Sequence, residues 1–238
     1  MLMNRAVVQC RNCGKAGAGN YCFYCGQELI IKKITVASVL RDVLHLFTHL
    51  DKGFGFTLKQ LIQAPGTMQR RYVQGERKKH QKPFSMFFIC ATIAGLTRYW
   101  IYSTLIKYYE VGDAAEAEFF HQYMVLLHVC LLPVYILITY LLFRKDRYNY
   151  AETGVMILYA MSFFFLLVTV ISFLKFIWPE MDTAYIELPV VAVYMIFTTR
   201  RFFITERPAF LYVKALISVL LTFLVAHYTE LLFVRYWF

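Results

Sequence analysis

Four cysteines near the N-terminus are the residues best suited to chemistry in this 238-residue chain. Their pattern is Cys10-x2-Cys13-x8-Cys22-x2-Cys25, and a glycine follows the second and the fourth. Four thiolates suit tetrahedral Zn²⁺, and each two-residue spacing lets both sulfurs of a pair reach one ion at about 2.3 Å. So few apolar residues separate the pairs that the segment would depend on the metal for its fold. The pattern therefore predicts a structural Zn²⁺ site.

Two disulfides, a rubredoxin-like iron site and a redox-active Cys-x2-Cys pair are alternative uses of the same thiols. The charge distribution described below places them in the cytoplasm, where structural disulfides are rare. Four protein ligands also leave no open coordination position for catalysis. Both arguments favour structural zinc.

The remainder of the chain is too apolar for a water-soluble enzyme. Hydrophobic residues make up 59% of the sequence, whereas a soluble domain has about 45–50% apolar residues. A helix needs about 20 mostly apolar residues to cross a bilayer. The fourth of five candidate segments is short and contains Glu187 and Pro189, so a tilted span, a broken span and a re-entrant segment are the alternatives for it. The five candidates are residues 84–102, 124–143, 155–174, 184–199 and 210–234.

The predicted fold is an all-α polytopic membrane protein with about five transmembrane helices, a small zinc ribbon and an amphipathic connector helix. We assign the ribbon to residues 1–30, an amphipathic and polybasic connector to residues 31–83 and the helical membrane domain to residues 84–238. Apolar residues recur on one helix face over residues 34–50. This spacing is typical of a helix at the lipid interface, and packing on the membrane domain or an oligomer contact are the alternatives.

Basic charge is concentrated before the first apolar segment. Residues 1–83 contain 14 basic and 4 acidic residues, whereas residues 84–238 contain 11 of each. Because Lys and Arg accumulate on the cytoplasmic side, we expect the N-terminus inside and, after five crossings, the C-terminus outside. Six of the basic residues are expected to contact anionic lipid headgroups, and a nucleic-acid interface is the less favoured alternative. They are Arg70, Arg71, Arg77, Lys78, Lys79 and Lys82.

The N-terminal motifs resemble an uncharacterised bacterial membrane protein family with a zinc ribbon. The resemblance covers about the first 85 residues and rests on the double knuckle ending Cys25-Gly26-Gln27, on Thr57 and Leu61 before Pro65-Gly66, on Tyr72-x2-Gly75-x-Arg77 and on Pro83. His80 stands where an aromatic residue is expected. The resemblance implies a cytoplasmic ribbon, a basic connector and several spans in a bacterial inner membrane. It implies no reaction.

Five ionisable residues fall in the outer halves of the apolar segments, and they are a possible outer polar cluster. An intramembrane charge is costly and is by default a functional-site hypothesis. One alternative is that these side chains only reach lipid headgroups or form ion pairs that hold helices together. Another is that they line a cavity that binds a lipid headgroup, a small solute or a proton. A third is that they form a metal-dependent active site. The five are Arg98, His128, Glu187, His227 and Glu230.

No P-loop, dinucleotide-binding fingerprint or nucleophile elbow occurs in the sequence. The closed metal site and this absence favour a non-enzymatic membrane protein whose ribbon and connector bind a partner protein or a second copy of the chain. A transporter, a channel-like protein or a membrane-lipid enzyme that uses the outer polar cluster is the alternative.

Overall fold

The computed structural model describes residues 7–39, 53–110, 112, 114–204 and 208–237. A two-stranded antiparallel sheet near the N-terminus joins β1 (Val8–Gln9) to β2 (Ala16–Gly17), with Val8 opposite Gly17. The rest of the described chain is predominantly helical. The helices are α1 (Phe54–Gln63), α2 (Thr67–Val73), α3 (Pro83–Tyr109), α4 (Ala114–Gln122), α5 (Met124–Leu142), α6 (Tyr150–Ser172), α7 (Ala184–Phe202) and α8 (Pro208–Trp237).

Local sequence explains where two of the long helices begin. Pro83 opens α3, at a helical position where its fixed φ fits and its missing N–H costs nothing. Asn149 precedes α6, and its side chain accepts a hydrogen bond from the backbone N–H of Glu152 at 2.8 Å. The Glu152 carboxylate accepts one from the backbone N–H of Asn149 at 3.0 Å. This reciprocal pair is a capping box, which satisfies N–H groups at the start of the helix.

Four helices of the described residues are long and apolar enough to cross a membrane. They are α3, α5, α6 with its short 3₁₀ extension Phe173–Phe176, and the Phe210–Phe233 part of α8. These helices contain or overlap four of the five predicted apolar segments, and α3 and α6 extend beyond theirs. The chain is therefore an all-α polytopic membrane protein with a small N-terminal sheet, in agreement with the sequence.

The predicted fourth span also forms a helix, α7, but α7 is not among these four candidates. Near its start, Glu187 pairs with Arg98 of α3. At its other end, the backbone carbonyl of Arg201 accepts a hydrogen bond from Arg70, and that of Phe202 accepts one from Tyr148. Helix α7 therefore connects the two ends of the helical bundle.

Helix α6 lies at the centre of the core. Every residue from 151 to 160 on this helix is buried. On one side Phe87 of α3 packs edge-on against Phe165, with ring centroids 5.7 Å apart. Helix α5 packs against both α6 and α8, and the hydroxyls of Thr139 and Ser218 lie 2.9 Å apart between α5 and α8.

The predicted connector helix over residues 34–50 lies mostly outside the described residues. The structure describes it up to residue 39, where residues 36–39 are helical. The division of the chain at residues 30 and 83 remains a prediction.

Candidate functional site

The four cysteine sulfurs converge at one point in the N-terminal ribbon. All four Sγ atoms lie within 4.8 Å of one another. Cys10 and Cys25 are 3.6 Å apart between sulfurs, and so are Cys13 and Cys22. A tetrahedral ion with bonds of about 2.3 Å needs sulfurs about 3.8 Å apart. The four thiols are free, and their arrangement can hold one metal ion.

Glycines make the two cysteine turns possible. The backbone N–H of Gly14 donates to the carbonyl of Cys10 at 2.8 Å, and that of Gly26 donates to the carbonyl of Cys22 at 2.7 Å. Their φ angles are 74° and 66°, a left-handed conformation that glycine adopts without steric cost. The conformation explains why a glycine follows each second cysteine.

Hydrogen bonds to the thiols favour thiolate at two of the four positions. The Asn12 side chain, helped by the backbone N–H of Gln27, lowers the pKa of Cys25 to about 6. The backbone N–H of Cys25 lowers the pKa of Cys22. At Cys13 the N–H of Lys15 lowers the pKa, but burial and the neighbouring cysteines outweigh it and raise the pKa to about 11. A divalent cation would supply the positive charge that lets all four become thiolates.

The ribbon is attached to the polybasic segment of the connector. Lys79 donates from Nζ to the backbone carbonyl of Asn12 at 3.2 Å, and the backbone N–H of Lys78 donates to Oε1 of Gln27 at 3.0 Å. The Lys78 side chain also lies against Gly26, where a Cβ atom would strike its ammonium. Both cysteine turns therefore contact this segment.

Arg77 joins the end of α2 to the chain that leaves the ribbon. Its Nε donates to the carbonyl of Tyr72 at 3.2 Å, and its Nη2 donates to the carbonyls of Val73 at 3.4 Å and Lys32 at 3.1 Å. Gly75, at φ 113°, leaves room for a side chain from the segment after the ribbon. These contacts give a physical reason for the Tyr72-x2-Gly75-x-Arg77 pattern.

At least four of the six basic residues thus have partners inside the protein. Arg77, Lys78 and Lys79 contact the ribbon or the chain after it, and Arg70 contacts α7. Sequence reasoning assigned all six to lipid headgroups and missed these contacts, because no local pattern pairs residues that are more than 40 positions apart. Contact with lipid headgroups remains a prediction for Arg70, Arg71, Arg77, Lys78, Lys79 and Lys82.

His80 and Gln81 link the connector to the membrane helices. The backbone N–H of Gln81 donates to Oγ1 of Thr57 at 2.8 Å, and its carbonyl accepts from the Tyr159 hydroxyl at 2.5 Å. His80 packs against the rings of Phe56 and Tyr72. Burial, with the nearby charges of Lys79 and Arg71, lowers the pKa of His80 to about 4. This histidine is therefore neutral at pH 7.

The five residues of the outer polar cluster line a single cavity of about 710 Å³. Arg98 donates from Nη2 to Oε1 of Glu187 at 2.5 Å and from Nε to the Ser172 hydroxyl at 3.3 Å. Nδ1 of His128 lies 2.9 Å from the Met124 carbonyl. His227 and Glu230 of α8 line the same cavity.

These five residues form no metal-binding group. Among the residues that the structure describes, only the four N-terminal cysteines bring three or more metal-ligating side chains together. The outer polar cluster therefore consists of one ion pair and three further polar residues around a cavity. A metal-dependent active site at this position finds no support in the geometry.

Comparison with models of known protein families finds a match to one segment of the chain, residues 51–95. No curated protein and no solved structure matches the chain. The matched segment contains α1, α2, the polybasic segment and the first part of α3, and with them Thr57, Gly66, Gly75 and Arg77. The resemblance to a family of unknown function is therefore confirmed: residues 51–95 match the family model described as "Protein of unknown function (DUF3667)".

Proposed function

We propose that this chain is an integral protein of a bacterial inner membrane whose N-terminal zinc ribbon binds a partner protein at the cytoplasmic surface. The ribbon and the polybasic segment form the docking module, and the helical bundle anchors it. The protein catalyses no reaction in this proposal.

Zinc is the metal that best fits the four cysteines. Four thiolates in a tetrahedral set are a typical structural zinc site, and the closed set leaves no position for a substrate. The small ribbon core supports dependence on a metal, because in the described part of the ribbon Leu29 is the only hydrophobic residue besides the cysteines in the core cluster.

The observation that carries the proposal is the exposure of aromatic side chains beside the second cysteine turn. Phe23 is 91% exposed, and Tyr21 and Tyr24 are 61% and 67% exposed. Aromatic residues are enriched in protein interfaces and often dominate their binding energy. Because Lys79 and Lys78 hold the ribbon on the connector, these rings are presented on a fixed support.

The basic charge supports a cytoplasmic ribbon. With the N-terminus inside and five crossings, α7 included, the C-terminus is outside. A protein partner is favoured over nucleic acid, since Arg77, Lys78 and Lys79 already contact the ribbon or the chain that follows it. The exposed side chain of Arg71 can then contact anionic lipid headgroups.

Site-specific photo-crosslinking in native membranes tests the proposal. A photoreactive amino acid at position 23 should give one discrete protein adduct, and Cys22→Ser should abolish it. The same amino acid at Tyr185, an aromatic position on α7 that is 81% exposed, serves as the control and should give no protein adduct. An adduct of twice the mass of the chain would identify the partner as a second copy. Absence of any adduct at position 23 would overturn the proposal.

A further inference from the structure

We propose that the cavity between α6 and α8 binds one molecule of a zwitterionic phospholipid. We call this 710 Å³ space the lipid cavity. It is flanked by α5 and α7 and is lined in part by the outer polar cluster. Its volume lies within the range of ligand pockets, about 300–1,000 Å³.

The length of the lipid cavity fits a hydrocarbon chain. Its lining extends on α8 from Ser218 to Arg235 and on α6 from Ile157 to Val168. At 1.5 Å per residue these stretches are about 26 Å and about 17 Å long. One leaflet contributes about 15 Å to the hydrocarbon core of a bilayer. An acyl chain can therefore lie along the helices from the charged end to the middle of the membrane.

The walls of the lipid cavity are mostly apolar below the polar cluster. Phe164, Val191 and Val219 come from three different helices and line its length. At the end of the cavity farthest from the charged mouth, Ser218 is buried, and its hydroxyl pairs with that of Thr139. A small polar solute would leave these apolar walls in contact with water, whereas an acyl chain covers them.

The charges at the mouth favour a headgroup with both signs. Arg98 and Glu187 neutralise each other. Around them the lining includes Lys175 and Arg235, together with the acidic Glu180, Asp182 and Glu230. A lipid phosphate is complementary to the basic side chains, and a lipid ammonium is complementary to the acidic ones. The headgroup of phosphatidylethanolamine carries both groups. Beyond the Arg98–Glu187 pair, these side chains carry two positive and three negative charges, so an anionic headgroup without an ammonium would add negative charge where the lining already has an excess of it.

Native mass spectrometry of the delipidated protein tests this proposal. The probes are phosphatidylethanolamine and phosphatidylglycerol with the same acyl chains. Ala226→Trp fills the lipid cavity, and Ala192→Trp makes the same change on α7 away from its lining. We expect one phosphatidylethanolamine per wild-type chain, at least tenfold less in Ala226→Trp and wild-type occupancy in Ala192→Trp. Equal occupancy in the two variants, or no retained lipid in the wild type, would overturn the proposal.

A mouth variant tests the headgroup without filling the lipid cavity. Lys175→Gln with Asp182→Asn removes one charge of each sign from partly or fully exposed positions, so the fold is preserved. The preference for phosphatidylethanolamine over phosphatidylglycerol should fall at least fivefold in this variant. Equal binding of the two lipids by the wild type would contradict a zwitterionic ligand, even if a chain is bound.

Discussion

Lys79 donates a hydrogen bond from its ammonium to the backbone carbonyl of Asn12 at 3.2 Å. Asn12 lies between the first two cysteines, and Lys79 lies four residues before α3 begins at Pro83. The bond therefore connects the first cysteine turn to the entrance of the first membrane helix. A change in the ribbon, such as metal loss, would reach the connector through this contact and through the Lys78–Gln27 bond.

Replacing Arg77 with Ala should destabilise the protein by about 1–3 kcal/mol. The substitution leaves the carbonyls of Tyr72, Val73 and Lys32 without their charged donor. Arg77→Lys should not restore stability, because an ammonium cannot reproduce the planar fork of donors. Thermal unfolding in detergent measures the effect, and the exposed Arg71→Ala is the control. Equal melting temperatures for the two alanine variants would contradict the assigned contacts.

Replacing Cys22 with Ser should remove the bound metal. Purified wild-type protein is expected to contain about one zinc per chain by elemental analysis, and the variant is expected to contain none. Cys130→Ser is the matched control, since Cys130 lies on α5 outside the ribbon. Iron in the wild-type protein, or zinc unchanged in Cys22→Ser, would disprove a zinc site.

Gly66 should not tolerate alanine. Its φ is 76°, and a Cβ atom would strike the backbone carbonyl of Thr198 on α7. We expect Gly66→Ala to cost at least about 2 kcal/mol of stability. In contrast, a Cβ atom added at Gly55 in α1 would have no atom within 4 Å apart from its chain neighbours and its own helix backbone, so Gly55→Ala should stabilise the helix by about 0.5–1 kcal/mol. Chemical unfolding of both variants gives the comparison, and a neutral Gly66→Ala would refute the close packing of the two segments.

His80 should make stability depend on pH in the acid range. Its pKa is lowered to about 4 in the folded protein, whereas an unfolded histidine titrates near 6.5. As the pH falls, the histidine of the unfolded chain is therefore protonated before that of the folded protein. The contribution of neutral His80 to the free energy of unfolding is complete above pH 6.5 and is lost as the pH falls towards 4. His80→Phe should remove this dependence. Parallel pH profiles of unfolding free energy for wild type and variant would show that the prediction is wrong.

The Arg98–Glu187 pair should behave as a unit. Removing one partner leaves a buried charge, so Arg98→Met and Glu187→Met should each cost about 3–5 kcal/mol. The double variant should cost much less than the sum of the two, because no charge is left unpaired. Chemical unfolding of the four proteins measures the coupling, and additive costs would mean that the two side chains do not pair.

Sequence reasoning anticipated the parts of this protein that local rules determine. The cysteine spacing indicated a four-ligand cluster, and long apolar runs indicated membrane helices, because both signals lie in consecutive residues. Arg98 and Glu187 are also placed in one predicted cluster, because both lie in the outer halves of their apolar segments. Their depth in the membrane was enough for this inference.

The missed contacts depend on packing between distant parts of the chain. The sequence predicts Lys79 as a headgroup ligand, since a basic run beside a span gives no sign that one side chain binds a carbonyl 67 positions earlier. The close approach of Gly66 to α7 likewise follows only from the folded bundle. The spacing of Gly75 and Arg77 is a partial signal, because it marks these two residues without showing which contacts they make.

The most direct test of the central claim is the dependence of the position-23 crosslink on zinc. Membranes are treated with a zinc chelator, and zinc is then restored in excess before irradiation. Metal-dependent docking predicts that the adduct disappears on chelation and returns with zinc. An adduct whose yield is unchanged by chelation would contradict the claim that the zinc ribbon holds the docking surface.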